Sequence, residues 1–154
     1  MKRFPLFVFF SAVFALAFSG CGSSPIQNSI HVSISSVAPA PQEPGAITLT
    51  LRYANESVFA IGVVRSNHRV FFNGTLIAKI EDAAPVGLPP MGAADQVIVV
   101  PVENQAALRE LVARSGDRTA SYRLESVLFQ VFNEDDYKVP AKSEGSVDLR
   151  PLAQ

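Results

Sequence analysis

The run Ile47-Thr48-Leu49-Thr50-Leu51-Arg52-Tyr53 alternates apolar and polar side chains without a fault. Successive side chains of an extended strand point to opposite faces, so this run offers one face to a core and one to water. A helix sorts residues with a different period and gains nothing from such a pattern. The alternation recurs: Ile30, Val32 and Ile34 oppose His31, Ser33 and Ser35, and strand-like runs follow at Val58–Arg65, Arg69–Phe72 and Leu76–Ile80. Between the last two stands Asn73-Gly74, a pair that tolerates positive φ and marks a tight hairpin. Asp82–Gly92 is rich in Pro and Gly and reads as a crossing loop. Val97–Val102 is expected as a strand buried on both faces, its end at a sheet edge because Pro101 donates no ladder bond.

One helix interrupts the strands. Asn104 suits its N-cap, Leu108, Leu111 and Val112 fall on one face for packing, and Gly116 suits its stop. Farther on, Tyr122 and Leu124 share one parity whereas Val127, Phe129 and Val131 share the other. A β-bulge at Glu125-Ser126 is expected to bring all five to one face. Asn133-Glu134-Asp135-Asp136 reads as a polar turn, with Tyr137–Val139 and Ser146–Leu149 as the last strand pieces. The whole predicts an all-β fold, an immunoglobulin- or fibronectin-III-like β-sandwich of about seven strands with one short helix. A chain of 154 residues suits one such domain, placed at 30–150.

The beginning has another character. Met1-Lys2-Arg3 is basic, Phe4 to Phe18 is almost wholly apolar, and small residues follow. That tripartite order describes a secretory signal peptide at 1–20, its apolar part shorter than the roughly 20 residues of a spanning helix. Phe18-Ser19-Gly20-Cys21 resembles the lipobox of bacterial lipoproteins, with Phe18 where that motif usually has Leu. The resemblance implies that Cys21, the sole cysteine, is lipidated and becomes the mature first residue. Residues 21–29 then form a lipidated tether to the membrane. A cleaved signal with an unmodified Cys21 is the alternative. Gly22, rather than Asp, after the cysteine implies by the enteric pattern the periplasmic side of the outer membrane over the inner membrane. The expected location is therefore the bacterial cell envelope, lipid-anchored.

The body resembles the water-stress and hypersensitive-response (WHy) domain of group 2 late embryogenesis abundant (LEA) proteins. The carriers are "LTLRYANES" (49–57), "VFFNGTLIAKI" (70–80), "YRLESVLFQV" (122–131) and "VPAKSEGSVDL" (139–149). Asn55 is kept where that family ends a strand in Asn-Pro, although Glu56 replaces the Pro. Ser126 stands where a Gly is usual, while Pro140 and Gly145 fit. The resemblance implies a seven-stranded sandwich with a short helix and a context of desiccation or other stress, without a catalytic centre.

Few side chains invite chemistry. One Cys with His31 and His68 cannot form a Cys/His zinc framework, and a net charge of −1 gives no basic face for nucleic acid. No Gly-x-Ser-x-Gly elbow surrounds any serine. His31 is expected on a solvated strand face. Arg65, His68 and Arg69 offer cations to an anionic lipid or glycan, or form an ordinary solvated hairpin end. Glu134, Asp135 and Asp136 offer oxygen ligands to calcium without EF-hand spacing, so a solvated turn is expected. The expectation is a non-catalytic envelope lipoprotein that protects or binds envelope components under stress, with no cofactor, metal, nucleic acid or small-molecule substrate. The alternative is a specific envelope protein–protein interaction or assembly module.

Overall fold

A computed structural model describes residues 29–114, 119–132 and 135–153. The signal segment 1–20, Cys21, the tether as far as Asn28, Gly116, Asn133 and Glu134 lie outside the described residues. Eight strands run β1 (Ile30–Pro39), β2 (Ala46–Asn55), β3 (Ile61–Phe72), β4 (Thr75–Asp82), β5 (Val86–Leu88), β6 (Ala93–Pro101), β7 (Thr119–Phe132) and β8 (Asp135–Asp148). Helix α1 (Gln105–Arg114) sits between β6 and β7, and a 3-10 helix (Arg150–Ala153) follows β8. Two antiparallel sheets result. One has the order β1-β2-β6; the other has β4-β3-β7-β8, with β5 following β4 along the same edge of β3. The eighth strand, β5, lies inside the stretch expected as a crossing loop.

The alternation of β2 is obeyed throughout: Ile47, Leu49, Leu51 and Tyr53 are buried, while Thr48, Thr50 and Arg52 face outward. The other strands keep their apolar residues inward by means of bulges. In β1 the extra residue is Ser35, after which Val37 joins Ile30, Val32 and Ile34 in the core. Val64 does the same in β3, and the register against β3 shifts at Ile77 in β4. Each inserted residue flips the parity of the residues after it.

No bulge occurs at Glu125-Ser126. The β7–β8 ladder runs in unbroken register from Thr119↔Asp148 to Phe132↔Asp135, so Ala120, Tyr122, Leu124, Ser126, Leu128 and Gln130 all face inward. Two polar residues, Ser126 and Gln130, thus occupy core positions, and Val127 and Phe129 lie on the outer face. The parity break reflects this placement of polar groups, not an inserted residue. Strand β8 is likewise one continuous element across Pro140, which an edge strand tolerates.

Strand β6 corrects a second expectation. It is an edge strand, in keeping with Pro101, but it is not buried on both faces: Val97 is 67% exposed and Val99 also faces water. The outer face of this sheet carries cross-strand rows Ser36–Thr50–Val97, Ala38–Thr48–Val99 and Ser33–Arg52–Asp95. Small hydroxyls interleave there with methyl groups.

The ends are closed by turn chemistry. Asn73 (φ 45°) and Gly74 (φ 82°) make the positive-φ turn between β3 and β4, and Asn73 Oδ1 accepts bonds from Ser121 N and Oγ at 2.9 Å. Asn104 caps α1 by accepting from Ala107 N at 3.0 Å, and Leu108 is buried while Leu111 and Val112 pack against the core. Opposite Tyr122 in the ladder stands Gly145, where a Cβ would lie 2.8 Å from the Tyr122 ring. Gly145→Ala should therefore cost about 1–2 kcal/mol in urea unfolding, the usual toll of overpacking. Tyr122→Val in the same chain should abolish that added cost, since the ring is what the methyl group meets.

Candidate functional site

The central strands carry a polar cluster inside the sandwich. Ser66 and His68, two residues apart on β3, share the inward face, and β7 sets Ser126 opposite His68. Tyr53 reaches them from β2 of the other sheet. His68 Nδ1 lies 2.7 Å from Ser126 Oγ, and Nε2 lies 2.9 Å from Ser66 Oγ and 3.1 Å from the Tyr53 hydroxyl. The Tyr53 and His68 rings meet edge-on at 6.1 Å. A neutral imidazole has one donor and one acceptor nitrogen, so either tautomer satisfies hydroxyls on both sides.

This corrects the expectation of a solvated hairpin end. His68 is 2% exposed, on the face opposite Arg65 and Arg69. Burial pushes its pKa down to about 4, against an opposing upward pull from the Asp82 carboxylate. Burial likewise pushes the Tyr53 phenol up, opposed by its bond to Ser66. A serine hydroxyl beside an imidazole has the appearance of a nucleophile and its base. Here, however, Ser66 and Ser126 are buried with the histidine between the two sheets, 2% and 4% exposed. The cluster's work is to satisfy buried polar atoms and tie the two sheets together.

The predicted cationic group is divided. Outside the sandwich, the Arg65 guanidinium lies 3.8 Å from the centre of the Phe129 ring, with Lys138 over the same ring at 5.6 Å. Arg69 and Arg123 cover Phe71, at 5.2 and 4.1 Å. Arg69 also pairs with Glu125 at 3.2 Å, and Lys79 with Glu103 at 3.2 Å. Arg65, Arg69, Arg123 and Lys138 thus cover outward-facing aromatics, and Arg69 and Arg123 also pair with Glu125. His31 is exposed on β1, as expected. Asp135 and Asp136 belong to β8 instead of a turn. Among the described residues no group of three or more His, Cys, Asp or Glu is placed to hold a metal. No described helix is long and apolar enough to cross a membrane.

Sequence reasoning missed the second organised region, at the end of the sandwich where β2 leads to β3 and β5 leads to β6. Asn55, 2% exposed, laces these loops together. Its Nδ2 donates to Phe59 O at 2.7 Å and to Pro89 O at 2.9 Å, and its Oδ1 accepts from Ser57 N at 2.8 Å. The backbone adds Met91 N to Ser57 O at 2.8 Å and Asn55 N to Gly92 O at 2.8 Å. The loops so fixed expose Val58, Phe59 and Met91. The available signal was Asn55 itself, a turn-forming amide at the end of an alternating strand.

No protein-family model matches this chain, and no curated protein matches it at a significant level. Solved structures share the fold. The solution structure of AT1g01470 from Arabidopsis thaliana superposes with a TM-score of 0.51 at 16% identity, covering 77% of each chain. The X-ray structure of structural-genomics target SoR45 gives 0.50 at 12% identity, over 83% of this chain and 92% of that one. A candidate late embryogenesis abundant (LEA) protein gives 0.48 at 14% identity, over 94% of this chain and 81% of the other.

Two outcomes test these arrangements. Between pH 6.5 and about 4 the unfolded chain binds a proton at His68 that the folded chain refuses, so stability falls as pH drops through that window. The loss should approach about 3 kcal/mol, and His68→Gln, which keeps a donor and an acceptor, should flatten urea-unfolding profiles by that amount. Parallel profiles for the two proteins would place the titration elsewhere. Asn55→Ala should cost about 2–4 kcal/mol by orphaning several buried backbone groups, and Asn55→Asp should not rescue it, because the carboxylate cannot donate.

Proposed function

We propose that this is a non-catalytic, lipid-anchored envelope protein of the LEA group 2 type, protecting membrane-associated components when water is scarce. The observation that carries the reading is where the resembling segments fall. "LTLRYANES" runs through the buried half of β2 into the Asn55 lock, "VFFNGTLIAKI" spans the β3–β4 hairpin, and the last two segments fill the β7–β8 pair. The resemblance thus coincides with the pieces that specify the sandwich. The likeness to solved structures supports the fold alone.

A physical means is available on the outer face of the β1-β2-β6 sheet. Ser35 Oγ donates to Thr50 O at 3.1 Å, and Ser36 Oγ to Thr50 Oγ1 at 2.8 Å, within a broad surface of hydroxyls and methyls. Such a surface exchanges hydrogen bonds with water in the wet state and with polar partners when water leaves. The buried Ser–His pairs support a role without catalysis. The cysteine anchor supports a place at the envelope membrane, since two or more acyl chains hold a protein stably where one holds it marginally.

A second reading, an assembly module gripping one envelope protein, is favoured by the position of β6 at the end of its sheet's strand order, the kind of edge at which a partner strand adds. Survival after drying separates the two. Deleting the gene should lower survival, and a Cys21→Ser chain should fail to restore it. Undiminished survival of the deletion strain, under conditions where the protein is made, would reject protection; crosslinking to one stoichiometric partner would favour the module.

A further inference from the structure

The exposed apolar side chains at the Asn55 end are concentrated and rigidly held. Val58 is 71%, Phe59 60% and Met91 69% exposed, with Pro89 and Pro90 exposed beside them. Single exposed apolar residues need no explanation, but a group on one tip does. These residues do not hang on a slack loop. Ser57 Oγ accepts from Phe59 N at 3.0 Å, Gly92 N donates to Pro89 O at 3.1 Å, and Met91 is held at φ 50°, a conformation unfavourable for a residue with a side chain. The lattice of bonds around Asn55 prevents both loops from folding their apolar groups back onto the core.

The chain also enters the domain at this end. Ile30 pairs with Asn55, and Ser29 O accepts from Glu56 N at 2.7 Å. Helix α1, the Asn73-Gly74 turn and the 3-10 helix after β8 are all at the opposite end. Eight Cα steps separate Cys21 from Ser29. Those steps reach at most about 28 Å when fully extended. An acyl group on Cys21 therefore keeps this tip, and not the far end, within reach of the bilayer, at high effective concentration.

We infer that the tip formed by Val58, Phe59, Pro90 and Met91 docks into the interfacial layer of the phospholipid bilayer beside the tether. This rests on the lipid-anchor reading of Cys21 above. Residues 55–60 and 88–93 contain no Lys or Arg, and Glu56 is acidic, as is Asp135 at the neighbouring β7–β8 end. Docking is thus driven by removing apolar surface from water and not by attraction to anionic headgroups. It sets the sandwich upright on the membrane, with the outer face of the β1-β2-β6 sheet turned sideways and its strands along the membrane normal.

The chain contains no tryptophan, so one placed at the tip is an unambiguous reporter. The mature protein is extracted from membranes, its acylation read by intact mass, and Phe59→Trp and Glu43→Trp variants are reconstituted into phosphatidylcholine vesicles with and without brominated chains. Glu43 is exposed in the turn between β1 and β2, at the far end. Brominated lipid should reduce emission of the Phe59→Trp protein about twofold or more and leave that of the Glu43→Trp protein unchanged, in low and high salt alike. Adding Val58→Ser and Met91→Ser should restore most of the emission, with the circular dichroism spectrum of the wild type. An acylated Cys21 with an unquenched Phe59→Trp reporter overturns docking while leaving the anchor reading intact. An unmodified Cys21 overturns both. Repeating the measurement with phosphatidylglycerol added to the vesicles tests the driving force, and quenching confined to those anionic vesicles at low salt overturns the apolar mechanism.

Discussion

A neutral imidazole in the middle of the sandwich ties the two sheets together. His68 meets Ser126 along its own sheet and Tyr53 across the interior, with Ser66 completing the set. Apolar side chains alone tolerate slippage of one sheet over another, because dispersion is nearly indifferent to which methyl meets which. Hydrogen bonds are not indifferent. A one-residue shift between β3 and β7 would turn Ser126 outward and leave His68 Nδ1 without its partner in a low-dielectric interior. Pairing the two central strands of the larger sheet in any other register therefore carries the penalty of orphaned buried polar atoms.

That register dictates the surfaces. Once even-numbered residues of β7 face inward, Phe129 must face outward, as must Phe71, which lies across from the irregularity at Ile77 in β4. Their rings would be wet but for the guanidinium groups of Arg65, Arg69 and Arg123 laid over them. Arginine suits this position because its flat, weakly hydrated head stacks on an aromatic face while remaining in contact with water. The other sheet solves its outer face differently, with serine, threonine and valine in cross-strand rows and the Arg52–Asp95 pair at 3.4 Å. One sheet thus presents charge over aromatics and the other presents small hydroxyls and methyls, although both enclose the same core.

Much of this was legible from single residues. Asn73-Gly74 required a tight turn, Asn104 a helix start, and the faultless run in β2 an amphipathic strand; each rests on a preference acting over a few neighbouring residues. The errors are of one kind. The parity change after Leu124 was open to two solutions, an inserted residue or polar groups in the core, and only the partner of Ser126 on β3 decides between them. The apolar run of β6 was equally open, because hydrophobicity does not distinguish a central strand from an edge strand whose outward valines face water. His68 in "RSNHRV" carries no local mark of burial, since two of its three partners lie 15 and 58 positions away in the chain. The Asn55 lock was hidden for the same reason, with one of its acceptors 34 residues distant.

By itself the sequence determined that the body is built of two-faced strands joined by tight turns, and it placed a basic–apolar–small segment and one cysteine ahead of them. These properties arise from covalent geometry and side-chain alternation, which act between near neighbours. Tertiary structure alone decided which polar residues were admitted to the core, which strands became edges, and which loops met at the end where the chain enters the domain. Those outcomes depend on pairing partners remote along the chain. The free energy of a buried polar group is set by whatever atom lies within hydrogen-bond distance of it, and no local pattern records that atom.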